Sequence, residues 1–254
     1  MRFSANLGFL WSDLPLPDAI RAAKAAGFDA VECHWPYDTP AAEVKAALAE
    51  TDLTMLGLNT RRGDLSNKEN GLAALPGREA EARTAIDEAM DYAAVIGAGA
   101  AHVMAGFASG PAARAAFVAN LRHACARARD VGITVLIEPL NRYDAPGYFL
   151  STTTEAQEII AEVGEPNLRL MFDCYHVQLM EGDLSHRIEN LLPLIGHIQF
   201  ASVPDRGPPD GGEVAYGHIF RLIDNLGWDK PLGAEYKPKG PTGPTLGWMA
   251  QFRS

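Results

Sequence analysis

Glu138, Asp173, Gln199 and Glu235 are four oxygen-bearing side chains in one recurring setting. Each follows a short apolar segment: Thr134-Val-Leu-Ile137, Leu168-Arg-Leu-Met-Phe172, Gly196-His-Ile198 and Pro231-Leu-Gly-Ala234. A near-continuous apolar run of that length reads as a buried parallel strand. Repeated strand after strand, the pattern gathers three carboxylates and one amide at one end of a sheet. Left unpaired, such carboxylates would repel one another and lose hydration, at a cost of several kcal/mol per buried ion. A divalent cation removes that cost. An all-oxygen set with three negative charges suits a hard ion, Mg²⁺ or Mn²⁺.

Glu138 and Glu235 offer more than binding. On opposite sides of one opening they would flank a substrate held at the cation, one on each face, as proton transfer at carbon requires. His176, just past Asp173, is placed to bond a substrate hydroxyl or to orient a ligand from behind. Arg206, in the loop after the Gln199 segment, offers a guanidinium fork to a carboxylate or to a developing oxyanion. Cys174 reads as a packing residue on the face opposite Asp173. His34, His102, His197 and His218 are scattered and carry no assignment.

Positioning these groups takes eight strands. The strand segments are 3–10, 28–35, 53–59, 100–105, 133–138, 168–173, 196–201 and 231–236. Amphipathic stretches at 18–26, 41–50, 78–96, 112–131, 152–163 and 216–226 read as helices between them. Gly27, Gly97, Gly132, Gly164 and Gly227 stand where helices stop. Thr152-Thr-Thr-Glu155 is a capping-box start. Eight such units in 254 residues predict a (β/α)₈ TIM barrel, with residues 1–254 as one domain. An open doubly wound sheet would bind at a single switch point, and the first βα loop has no G-x-G-x-x-G. A closed barrel instead brings the ends of strands five to eight around one mouth. The long, charged segments Thr60–Arg78 and Val203–Tyr216 read as lids or binding loops.

Composition narrows the partners. The formal net charge is −10 and no Lys/Arg block occurs, which argues against nucleic-acid binding. Cys33, Cys125 and Cys174 are odd in number and far apart, as suits a reducing compartment. The apolar start reads as a first strand rather than a signal peptide. No apolar stretch reaches the ~18 residues of a membrane span. The expectation is a cytoplasmic protein acting on a small molecule, without nucleic-acid or membrane partners, with homo-oligomer formation left open.

Beyond the strand ends, further segments stand in a familiar order. They are Arg2-Phe-Ser-Ala-Asn-Leu7, Gly63-Asp64, Gly71-Leu72, Pro76-Gly-Arg-Glu79 and Leu136-Ile-Glu-Pro139 with Asn141. Then come Asp173-Cys-Tyr-His176, Met180-Glu-Gly182, His197-Ile-Gln199, Gly212-Glu213 with Tyr216, and Glu235-Tyr-Lys-Pro238. In these the chain resembles the hydroxypyruvate isomerase family, within the xylose-isomerase-like barrels that also hold ketose 3-epimerases. The resemblance covers nearly the whole chain. It implies that Glu138, Asp173, Gln199 and Glu235 bind the metal, that Glu138 and Glu235 exchange protons with substrate carbon, and that His176 and Arg206 contact substrate. Two loops depart from the family pattern. Pro208 stands where an acid is usual after Arg206, and Leu58-Asn-Thr-Arg-Arg-Gly-Asp-Leu65 replaces a His-Asn-x-Pro-x-Gly-Asp-Trp segment.

The implied reaction is metal-dependent isomerisation of a small hydroxy-carbonyl acid through an enediolate that the cation stabilises. Hydroxypyruvate to tartronate semialdehyde leads, with a four-carbon 2-oxo-tetronate close behind. A ketose 3-epimerase of the same fold is the alternative. A non-catalytic sugar-acid or metal binder would have no need of the second glutamate. A related nuclease would need His-rich zinc sites and a basic face.

Overall fold

The computed structural model describes residues 1–253. Its strands are β1 (Phe3–Asn6), β2 (Ala30–Glu32), β3 (Thr54–Met55), β4 (Leu58–Asn59), β5 (Ala100–His102), β6 (Thr134–Ile137), β7 (Leu168–Asp173), β8 (Ile195–Phe200) and β9 (Leu232–Ala234). All pair in parallel, in the order β3-β2-β1-β9-β8-β7-β6-β5-β4. The two ends of that order, β3 and β4, are consecutive pieces of one strand. Between them the Leu56 N–H donates to the Val31 carbonyl at 2.7 Å, and the Gly99 N–H donates to the Met55 carbonyl at 3.0 Å. The sheet therefore closes on itself as the expected (β/α)₈ barrel.

Helices α1 (Leu16–Ala25), α2 (Ala41–Thr51), α3 (Glu79–Ile96), α4 (Gly110–Val131) and α5 (Thr153–Val163) alternate with the strands as the periodicity predicts. Thr152 and Glu155 form the expected capping box on α5. After β7 come α6 (Cys174–Met180) and α7 (Leu184–Leu191), two short helices that the sequence pattern does not announce. Cys174 thus begins a helix instead of continuing a strand, and it is buried. Helices α8 (Tyr216–Asn225) and α9 (Trp248–Phe252) complete the set. No helix among the described residues is long and apolar enough to cross a membrane.

Strand alternation sorts the side chains. Phe3 of β1 and Phe200 of β8 face outward and meet Phe220 and Trp248 edge-on or tilted, with centroids 4.9–5.8 Å apart. Inside the barrel, Ala100, Leu136 and Met171 form a separate apolar layer. Above it the interior turns polar. Asp173 pairs in register with Gln199, and Gln199 with Gly233, so these positions share one level. β1 ends at Asn6, not at residue 10, because the Asn6 carbonyl takes the N–H groups of Phe9 and Leu10 in a turn.

The segment after β4 is tethered along its second half. The Ala73 and Ala74 N–H groups donate to the Met104 and Ala105 carbonyls at 3.2 and 2.7 Å. Gly71 has φ +119, and a Cβ there would lie 2.6 Å from the Met104 backbone, so only glycine fits this crossing.

Candidate active site

The ends of all eight barrel strands carry polar side chains. Asn6, Glu32, Asn59, His102 and Asp173 are the last residues of β1, β2, β4, β5 and β7. Glu138 and Glu235 directly follow β6 and β9, and Gln199 is the last but one of β8. Pro139 lacks an N–H and ends the β6 ladder at the point where Glu138 must turn into the mouth.

Three of the four predicted ligands converge with His176. One ligand atom from each of Glu138, Asp173, His176 and Glu235 lies within 4.8 Å of every other, and all four residues are buried. Gln199 is buried beside Asp173 in register. Glu138 Oε1, Asp173 Oδ2 and Gln199 Oε1 have no hydrogen-bond partner among the described residues. Buried acceptors are normally satisfied, so three orphaned oxygens at one place point to a missing electropositive group. The donor set fits a hard divalent ion, and the cluster could hold one.

Each member is held by its element. Asp173 ends β7 and caps α6, its Oδ1 accepting the Tyr175 N–H at 2.9 Å. Glu235 Oε1 accepts from Asn6 Nδ2 at 3.1 Å and faces His34 Nε2 at 3.0 Å, while Oε2 accepts from Arg206 Nη2 at 2.6 Å. His176 Nδ1 accepts from the Asn141 N–H at 3.0 Å and from Asn141 Nδ2 at 2.7 Å. These donors place the imidazole proton on Nε2, which lies 3.6 Å from Asp173 Oδ2 and 3.9 Å from Glu138 Oε1. That nitrogen presents a donor to the mouth, not a lone pair to a cation. Burial lowers the pKa of His176 to about 3, so the ring is neutral.

The charges are unevenly settled. Burial, then Glu235 and Asp173, push the Glu138 carboxyl well above the usual carboxylate range. Burial, then Glu235, do the same to Asp173. Burial would also raise Glu235, but Arg206 and His34 outweigh it and hold that carboxyl below the usual range. Arg206 is buried in a left-handed backbone conformation, φ 50, with its guanidinium 4.9 Å from the ring centres of both Phe9 and Tyr175. It also reaches Asp144 at 3.4 Å and Asp173 at 3.6 Å.

Glu138, His176, Arg206 and Glu235 line a cavity of about 240 Å³ shared with Trp35, Asn59, Asn70, His102, Asp144 and Lys237. A larger groove of about 730 Å³ runs between Phe107, Arg114, Phe149 and Ile159, but it contains none of the carboxylates, so its size does not locate the chemistry. Of the unassigned histidines, His34 and His102 line the mouth and His197 sits below it against Glu32. His218 lies away from the mouth, beside Ser185. Glu32 escaped the sequence reading although it closes the run Phe28-Asp-Ala-Val31, the same signal as the other strand ends.

A sequence model of the xylose isomerase-like TIM barrel matches residues 20–252. The 2-oxo-tetronate isomerase of Cupriavidus necator is 45% identical over 99% of this chain and 98% of its own length. The hydroxypyruvate isomerase of Escherichia coli is 37% identical over the full length of both chains. The chain belongs to the hydroxypyruvate isomerase family. Family membership makes it an enzyme of the isomerase class, and the buried cluster described above lies at the strand ends where barrel enzymes carry their chemistry. A crystal structure from Brucella melitensis, described as an AP endonuclease of family 2, superposes with a TM-score of 0.95 at 38% identity, covering 100% of this chain and 99% of that one.

Proposed function

We propose that this isomerase moves the carbonyl of a small 2-oxo hydroxy acid to the neighbouring hydroxyl-bearing carbon, converting hydroxypyruvate to its aldehyde isomer or a four-carbon 2-oxo-tetronate to its 3-oxo isomer. The observation that carries the reading is the orphaned oxygens of Glu138 and Asp173, clustered with Glu235, and the orphaned oxygen of Gln199, the register neighbour of Asp173. These four residues would hold one Mg²⁺ or Mn²⁺. When bound, the cation supplies Lewis acidity to polarise the hydroxy-carbonyl group and offset the charge left by a departing carbon-bound proton. Names of full-length relatives support the substrate class. Residues 1–254 would act as one barrel domain.

The residues divide the work. Glu138 and Glu235 exchange protons with adjacent substrate carbons. Glu138 has Oε1 free, whereas Glu235 has donors on both oxygens. Glu138 is therefore the better placed to pick up and return a proton. His176 donates through Nε2 to a substrate oxygen. Arg206, with Nε buried and unpartnered, and Lys237 at the cavity rim meet the substrate carboxylate. The small cavity favours three- and four-carbon acids over longer sugars.

A ketose 3-epimerase would use the same pair of glutamates. A nuclease, the description given to the Brucella structure, fits poorly with a formal net charge of −10. The deciding experiment incubates Mn²⁺-loaded protein in D₂O with hydroxypyruvate, a 2-oxo-tetronate and a neutral ketohexose. The expected result is an isomerised product carrying carbon-bound deuterium from the acids only: an aldehyde from hydroxypyruvate and a 3-oxo acid from the 2-oxo-tetronate. Turnover of the ketohexose alone would replace this reading with the epimerase.

A further inference from the structure

Among the described residues, four carboxylates are buried: Glu138, Asp173, Glu235 and Glu32. The first three converge on the mouth. Glu32, at the end of β2 and 4% exposed, does not. It lies one layer deeper and has three donors around it. Its Oε1 accepts from Gln199 Nε2 at 3.0 Å and from Asn6 Nδ2 at 3.1 Å, and its Oε2 meets His197 Nε2. The space is filled to the limit. A Cβ on Gly233 would lie 2.6 Å from Glu32 Oε1, 2.8 Å from Gln199 Cγ and 2.9 Å from His197 Nε2.

The consequence concerns the Gln199 amide. An amide has a donor end and an acceptor end of nearly equal size, and little but its hydrogen bonds decides which way it points. Glu32 Oε1 already accepts from Asn6 Nδ2, so as an acceptor it takes the NH₂ end and never the oxygen. With the NH₂ end tied down, Gln199 Oε1 is left buried and without a partner. Asn6 and His197 in turn keep Glu32 in place. We propose that Glu32 is a positioning residue: it fixes the Gln199 amide so that its oxygen, not its NH₂ group, faces the cation site. The inference rests on the metal reading above and adds a residue that touches neither cation nor substrate.

The test is Mn²⁺ affinity, read from the free-ion electron paramagnetic resonance signal, for the unmodified protein, Glu32→Gln, Gln199→Ala and the double variant. Removing a partner that orients a ligand typically costs 10–100-fold in metal affinity, and Glu32→Gln is expected to lose about that much. In the Gln199→Ala background the same change should add no more than about a twofold loss, because effects on one network do not sum. At saturating Mn²⁺, kcat of Glu32→Gln should approach that of the unmodified protein. Unchanged Mn²⁺ affinity in folded Glu32→Gln, or full additivity in the double variant, overturns the proposal. If Glu32→Gln does not fold, the unmodified protein decides. Its Gln199 side-chain amide protons should exchange slowly with solvent before Mg²⁺ is added. Protection that appears only with Mg²⁺ would mean that the metal, not Glu32, sets the orientation. Failure of the unmodified protein to bind Mn²⁺ would instead reject the metal reading, and the exchange measurement would still judge Glu32.

Discussion

Arg206 Nη2 lies 2.6 Å from Glu235 Oε2, while Glu138 on the other side of the mouth has, among the described residues, no ion-pair partner but the neutral rings of His102 and His176. The two glutamates are therefore chemically unequal before substrate arrives. One is held as an anion by a buried guanidinium. The other is surrounded by burial and like charge.

That inequality predicts different failures for the two isosteric variants. Glu138→Gln and Glu235→Gln should both fold and bind Mn²⁺ at raised concentration, and both should lose at least ~10²-fold in kcat. Glu138→Gln should also abolish exchange of the substrate's carbon-bound proton with D₂O. Glu235→Gln should keep measurable exchange while product formation stalls. Proton NMR of the substrate follows both. Full activity of both variants at saturating Mn²⁺ would remove the glutamate pair from the mechanism.

Metal binding should release protons. In the metal-free protein Glu138 and Asp173 have raised pKa values, so they hold protons that a free carboxylic acid would have lost. A cation must displace them. Mn²⁺ affinity is then expected to rise with pH from about the ordinary carboxylate value to the raised one, by up to tenfold per pH unit for each proton displaced. The linked stability has the opposite sign. A carboxyl raised on folding contributes stability below its unfolded pKa and loses it as pH rises through its folded pKa. The thermal shift produced by Mn²⁺ should therefore widen as pH rises above the ordinary carboxylate range. Calorimetry in buffers of different ionisation enthalpy counts the protons; none released at low pH would contradict the raised values.

Substrate charge should be felt most at Lys237. It lines the cavity, is exposed, and has its ammonium 5.6 Å from the Phe9 ring, with no carboxylate paired to it among the described residues. Lys237→Met is expected to raise KM for an acid substrate about tenfold, the size of one hydrogen bond to a charged group. It should leave kcat nearly unchanged. Arg206→Ala should behave differently, because it also strips Glu235 of its counter-charge and should lower kcat for every substrate. Equal KM changes for acid and neutral substrates in Lys237→Met would exclude the carboxylate contact.

Gly71→Ala probes the loop after β4. The site requires positive φ, and the new methyl would meet backbone that cannot rotate away. A loss of about 1–3 kcal/mol in urea unfolding is expected. Asn70, adjacent in the chain, lines the cavity, so KM should rise as well. Unchanged stability would show that this crossing is looser than described.

The barrel was legible because parallel strands and amphipathic helices write themselves in short periods. The four polar strand ends at residues 138, 173, 199 and 235 were legible for the same reason. Asn6, Glu32 and His102 obey the same rule, but apolar residues continue past them as Leu7-Gly-Phe-Leu10, Cys33 and Val103-Met-Ala105, so the sequence does not mark where those strands stop. Helix α6 starts directly on Asp173 with no loop to mark it, and it is seven residues long. The contacts that sort the site were out of reach altogether. Asn6 meets Glu235 across 229 positions, Glu32 meets Gln199 across 167, and no local pattern records either.

Asp173 is both the last residue of β7 and the cap of α6, so a single helical turn separates it from His176. No adjustable segment lies between them. The spacing of this acid and this imidazole is thus inherited from backbone geometry, and substitutions elsewhere can hardly retune it. The exposed stretches 64–68 and 210–213, by contrast, lie on loops that can lengthen, shorten or re-aim without disturbing a strand. Within such a scaffold, descendants can exchange one small acid for another by editing those two loops, while the reacting centre passes on unaltered.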